Sequence, residues 1–220
     1  MSNSSLSFGK LTGITLGSLQ DVVLTAVADN EVLAYNTATG EWINQTPTEA
    51  GLISTSDSAT TSSSGISELA TSSETTDGTD TDRTVTPDAL AQSDFGKTVV
   101  TILVTDPNGD ALTTGDGKAY WRVPSTINGY NLVDVEMAVT TASTSGNPTV
   151  QIHNVTDTAD MLSTSLTIDA NYTDSSTAGT AAVINTSTDD VATADMLRID
   201  IDAAGTGTKG LMVELTFQLP

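Results

Sequence analysis

The chain has 220 residues, 28 acidic against seven basic side chains, a formal charge of −21 and no cysteine. Seven scattered bases cannot neutralise a run of phosphates or hold an anionic bilayer, which excludes nucleic-acid binding and electrostatic membrane docking. The missing thiols exclude disulfide scaffolds, thiolate zinc sites and thiol nucleophiles.

Ser and Thr together make 63 residues, and aromatic residues only 4%. Thr packs its branched Cβ on a pleated surface, and both hydroxyls satisfy backbone groups in turns, so the composition points to an all-β chain. The opening MSNSSLSFGK has no basic stretch followed by an apolar run, so no secretory signal is expected. No apolar stretch approaches the length that spans a bilayer, so no membrane insertion is expected.

Residues 1–53 form a first segment of short apolar pairs punctuated by Gly9, Gly13 and Gly17. Residues 31–36 alternate as a short strand, Thr39-Gly40 marks a tight turn, and residues 41–44 return with Trp42, which predicts a small hairpin. Thr46-Pro47-Thr48-Glu49 has the pattern of a capping box with Pro at the first helical position. Residues 54–96 form a second segment. Its part 54–86 is low-complexity Ser, Thr, Asp and Gly with almost nothing to bury. Such a stretch is either a free linker, or ordered by wrapping with other copies of the chain around sparse apolar residues such as Ile66, Leu69 and Val85. Thr86-Pro87 then caps a predicted short helix over 87–92, with Leu90 and Phe95 facing a partner.

From residue 97 to 220 the hydrophobic period is two. Strands are predicted at 99–104, 118–123, 131–140, 149–154, 161–168, 181–184, 195–201 and 210–218. In the third, Val133, Val135, Met137 and Val139 point inward, with Asp134 and Glu136 outward. Leu197, Ile199 and Ile201 alternate with Arg198, Asp200 and Asp202. Leu211, Val213, Leu215 and Phe217 alternate with Met212, Glu214, Thr216 and Gln218 in the same way. One buried and one wet face per strand predicts an antiparallel β-sandwich, jelly-roll-like. A domain of about 120 residues buries roughly two-thirds of its extended-chain surface, enough to fold without disulfides.

Two motifs carry a resemblance. Residues 65–97 hold Glu68-Leu69-Ala70-Thr71, Glu74-Thr75, Gly78-Thr79-Asp80, Arg83, Val85-Thr86-Pro87 and Leu90 in an order that resembles a module of bacteriophage tail-fibre proteins. The stretch from Leu19 to Asn44 resembles a second fibre motif of the form L.DV…N.VL.YN..TG.W.N. Nearly all of residues 97–220 is similar to a C-terminal β-domain of phage structural proteins, where it forms the distal knob. The resemblance implies a homotrimeric virion fibre assembled in host cytoplasm, with an extended stalk preceding the β-sandwich. Residues 1–53 would anchor it to other virion proteins. Ile66, Leu69, Val85, Leu90 and Phe95 would make stalk contacts between copies, and the knob would adhere to a host-surface glycan or protein as part of a tail fibre. A capsid-mounted head fibre or decoration protein is the alternative the same resemblance allows.

The residues offer little chemistry of their own. His153, the lone histidine, lies in a strand beside Ile152 and Val155, which points to a structural or surface role. Many carboxylate pairs are possible by type, but nine aromatic residues are too few to line a sugar-cleaving groove, so a non-enzymatic protein is expected. Asp106–Asp110 and Asp77–Asp82 could offer oxygens to Ca²⁺, yet the first lacks the Gly and Glu of an EF-hand loop, and turn roles are the better reading of both. No metal or cofactor is implied. The densest ligand-binding candidate is Tyr120-Trp121-Arg122. Its plainer reading is that Trp121 anchors the core while Tyr120 and Arg122 face outward.

Overall fold

The computed structural model describes residues 15–52, 58–62 and 65–220. The chain divides into two compact units, one reaching to Glu68 and including Thr81–Thr84, the other holding Leu69–Asp80 and Val85–Pro220.

In the first unit, strands β1 (Val22–Val23), β2 (Val32–Asn36) and β3 (Glu41–Gln45) form a sheet in the order β1-β3-β2. The expected hairpin is present: β2 and β3 are antiparallel, and Gly40 N–H donates to the Asn36 carbonyl at 2.8 Å to close the turn. Tyr35 and Trp42 face each other across it, with ring centroids 5.4 Å apart. β1 adds to β3 in parallel. The Thr46 capping box forms reciprocally, Glu49 N–H donating to Thr46 Oγ1 and Thr46 N–H to Glu49 Oε2. The Thr46 N–H and then the Thr46 hydroxyl, both donating to Glu49 Oε2, hold the Glu49 carboxyl below its usual range. No helix follows: the chain makes one turn, closed by Leu52 N–H on the Pro47 carbonyl.

The second unit opens with helix α1 (Ser72–Asp77) and helix α2 (Pro87–Ala91). α1 lies within the low-complexity tract 54–86, where no helix was expected, and its local chemistry explains it. Thr71 Oγ1 accepts from Glu74 N–H while Glu74 reaches back to Thr71 N–H, and Gly78 ends the helix in the left-handed region at φ 63. α2 is the predicted short helix, capped by Thr86 and ending one residue early, with Gln92 as its C-cap.

Strands β4 (Thr98–Leu103), β5 (Gly115–Arg122), β6 (Tyr130–Thr141), β7 (Thr149–Asn154), β8 (Ala159–Asp160), β9 (Leu162–Thr164), β10 (Leu166–Thr167), β11 (Val183–Ile184), β12 (Asp190–Val191), β13 (Met196–Ala203) and β14 (Lys209–Gln218) follow. They make a four-stranded sheet in the order β12-β6-β14-β4, a five-stranded sheet in the order β10-β7-β13-β5 with β8 on β7, and a β11-β9 pair. All these ladders are antiparallel. Inward side chains of both large sheets join one buried cluster that includes Val135, Met137, Ile152, Leu197, Ile199, Leu211, Val213 and Phe217. Burying each such side chain stabilises the fold by about 1.5–3 kcal/mol.

Three departures from strict alternation have local causes. Val133 points outward, because β6 carries an extra residue between its pairs Leu132↔Phe217 and Asp134↔Thr216. Leu132 takes the inward place, and Asp134 Oδ1 accepts the Val135 N–H at this bulge. The run 161–168 is split into β9 and β10, which pair with different strands, β11 and β7. Asp200, expected to be wet, is 4% exposed, for reasons that belong to the site below. Met212, Glu214, Thr216 and Gln218 are half-buried on the outer face because β14 is central in its sheet.

Candidate functional site

A built arrangement of polar groups lies on the outer face of the five-stranded sheet. It begins with the sequence Gly115-Asp116-Gly117-Lys118, whose glycines break the strand. β5 spends four steps from Gly115 to Ala119 where β13 spends two, from Ile201 to Ile199. In this bulge Gly117 N–H donates to Asp200 Oδ1 at 2.7 Å, which holds the carboxylate against the sheet. Arg198 Nε binds the same carboxylate at 2.9 Å and its Nη2 reaches Asp116 Oδ2 at 3.1 Å. The hydrogen bond to Asp200, then the charges of Asp200 and Asp116, hold the Arg198 guanidinium above its already high range against its partial burial. Asp200 is buried because these donors satisfy it.

Strand register sets Tyr120, Arg198, His153 and Asp160 side by side across β5, β13, β7 and β8. His153 Nδ1 lies 2.6 Å from Asp160 Oδ1, with the His153 side chain 19% exposed. Tyr120 is 58% exposed at one end of this row. Alternation separates the predicted triad: Tyr120 and Arg122 stay outward, while Trp121 turns in and stacks on Phe217 at 5.6 Å between centroids, 22° from parallel. The plainer reading of Trp121 therefore holds, and Arg122 pairs in register with Met196. Sequence reasoning missed Arg198, Asp200 and Asp116. The Gly-Asp-Gly interruption just before Tyr120 was the available signal, since isolated glycines in a strand mark bulges.

Two other surfaces stand out. On the four-stranded sheet, a groove of about 480 Å³ has the in-register row Thr101, Glu214 and Glu136 as its floor and Asp174–Ser176 as one wall. In the first unit, Leu16, Leu19, Val22, Leu33 and Trp42 line an apolar depression of about 230 Å³.

The predicted stalk positions share one property. Ile66, Leu69, Val85, Leu90 and Phe95 are all exposed, Leu69 at 65% and Phe95 at 69%. They are the large apolar residues of the segment 65–96, whose buried positions are instead Ala70, Thr75, Ala89 and Ser93. Of the two acidic runs, Asp106 Oδ1 accepts from Asn108 N–H in a turn, and Asp77 closes α1. Among the described residues no group of three or more His, Asp or Glu is placed to hold a metal.

No protein-family model, curated protein or solved structure matches the chain. The functional reading therefore rests on these residues and their geometry.

Proposed function

We propose that the chain is a non-enzymatic, homotrimeric fibre protein of a bacteriophage particle. The observation that carries this reading is the inverted burial of residues 65–96, large apolar side chains outside and small or polar ones inside. A chain of charge −21 gains solubility from its acids, and Leu69, Val85, Leu90 and Phe95, all exposed within one short segment, are suited to another protein surface. Copies of the same chain supply one: Leu69, Val85, Leu90 and Phe95 bury against their counterparts around a common axis, as the fibre-type motifs imply.

The C-terminal unit would be the knob, a jelly-roll sandwich whose eight principal strands are those left when β8, β9 and β11 are set aside. Its strand order supports this. The chain enters the four-stranded sheet at β4, crosses to β5, returns to β6, crosses to β7, and later crosses from β13 to β14, so both sheets are interleaved in sequence as in two Greek keys. Fold alone does not give function. Adhesion is assigned here to the polar row on the outer face of the five-stranded sheet. Three such faces on one trimer would raise a weak contact to useful avidity. The apolar depression of the first unit is the surface suited to docking on the particle.

The test is immunogold labelling of intact phage particles with antibody to this chain. Label on tail appendages supports receptor adhesion. Label on the head moves the same trimer to a capsid-mounted fibre, and absence of label from every particle overturns the reading.

A further inference from the structure

We infer that the outer face of the five-stranded sheet binds a neutral glycan, with Tyr120 as a stacking platform for one hexopyranose ring; this rests on the adhesion reading above. Gly117 makes the platform. A Cβ at position 117 would collide with Tyr120 Oη and lie 2.8 Å from Cζ and 3.1 Å from Cε2. The tyrosine ring thus lies down over bare backbone at the bulge, in a space that any side chain would fill. One part of the ring rests over Gly117, and Tyr120 as a residue remains 58% exposed. A rigid aromatic surface of this kind offers apolar contact at low entropic cost, with a hydroxyl at its rim.

The groups beside the ring match a polyhydroxyl ligand. From Tyr120 the row continues through Arg198 and His153 to Asp160, a line of polar side chains set at the strand spacing of about 4.8 Å. Arg198 is fixed by Asp116 and Asp200, and His153 by Asp160, so these groups are oriented before any ligand arrives. The row is longer than one sugar ring, which favours an oligosaccharide lying across the strands. Charge selects the class. Asp116, Asp160, Asp200 and Asp202 outnumber Lys118, Arg122 and Arg198 on these strands, and the whole chain is strongly acidic, so a carboxylated or sulfated sugar is repelled.

The experiment is saturation-transfer-difference NMR on the full chain with methyl glucoside, methyl galactoside, methyl mannoside and N-acetylneuraminic acid as probes. At least one neutral hexoside is expected to give a signal, and the acid none. Tyr120→Ala is expected to weaken binding about tenfold or more, Tyr120→Phe to keep it within about twofold, and Tyr172→Ala, another exposed tyrosine of the same unit, to leave it unchanged. Both alanine positions are exposed, and circular dichroism checks that the variants fold. Silence from all neutral hexosides, binding indifferent to Tyr120→Ala, or binding of the acid alone would overturn the inference. The mass of the same sample separates the two readings. A trimer that ignores these sugars sinks this site and leaves the fibre reading standing, whereas a monomer that binds them does the reverse.

Discussion

Asp202 sits where β13 gains a residue over β7, between the pairs Ile201↔Val150 and Ala203↔Thr149. Burial, then the charges of Asp200 and Asp160, push its carboxyl above the usual range, and Ser165 offsets this in part. A carboxyl with a raised pKa holds its proton more readily folded than unfolded. Its favourable contribution is complete below the unfolded value of about 3.9 and is lost as pH rises through the folded value. At neutral pH ionised Asp202 therefore opposes folding. Asp202→Asn should melt above the wild type at pH 7, with the gap closing as pH falls toward about 4; a gap independent of pH would contradict this. In the core, Phe217→Ala removes a fully buried ring stacked on Trp121. It should cost about 3–5 kcal/mol in urea unfolding, and a loss under about 1 kcal/mol would mean the two rings are not a core contact. The inward set of β14 was legible in the sequence because its alternation is unbroken. Val133 was not, because a bulge changes phase without changing composition. The burial of Asp200 was hidden for a different reason: one of its donors is the distant Gly117 backbone N–H, and the only trace of it in the sequence is the Gly115-Asp116-Gly117 interruption that marks the bulge.

Elements were legible to the extent that their signals are local. The β2–β3 hairpin followed from its turn and α2 from Thr86-Pro87. The two-residue strands β8 and β12 have no period to read. α1 had a readable signal, Thr71 and Glu74 with Gly78 beyond, which the surrounding Ser and Thr masked. Because α1 is held by its caps more than by burial, Thr71→Ala should remove about 1 kcal/mol of local stability. Hydrogen exchange over residues 72–77 should then speed up about fivefold while the strands stay protected. Unchanged exchange would show that contacts with α2 hold it instead. Strand β4 is the edge of its sheet, uncharged along Thr98–Leu103, free of Pro and continuous in register with β14. It exposes Val99 and Leu103, and nothing in it discourages pairing with another strand. Val99→Lys should lower light scattering on heating while shifting stability by less than about 0.5 kcal/mol; scattering equal to the wild type would mean the edge is already covered.

At the scale of the whole molecule, composition announced the β class and the acidic surface, and the alternation of residues 97–220 announced antiparallel sheets. Side-chain exposure in residues 65–96 could not be read from one chain. The same Leu and Phe would be core in a monomer that folded back on them, and here they face out. Assembly, stalk and avidity all depend on that inversion. It is tested most directly by sedimentation equilibrium of the wild type beside the double variant Leu90→Asp, Phe95→Asp. The wild type is expected at three times the chain's 22.6 kDa, and the variant at a single-chain mass with its strand circular dichroism intact. A wild type that sediments at 22.6 kDa at every concentration would contradict it.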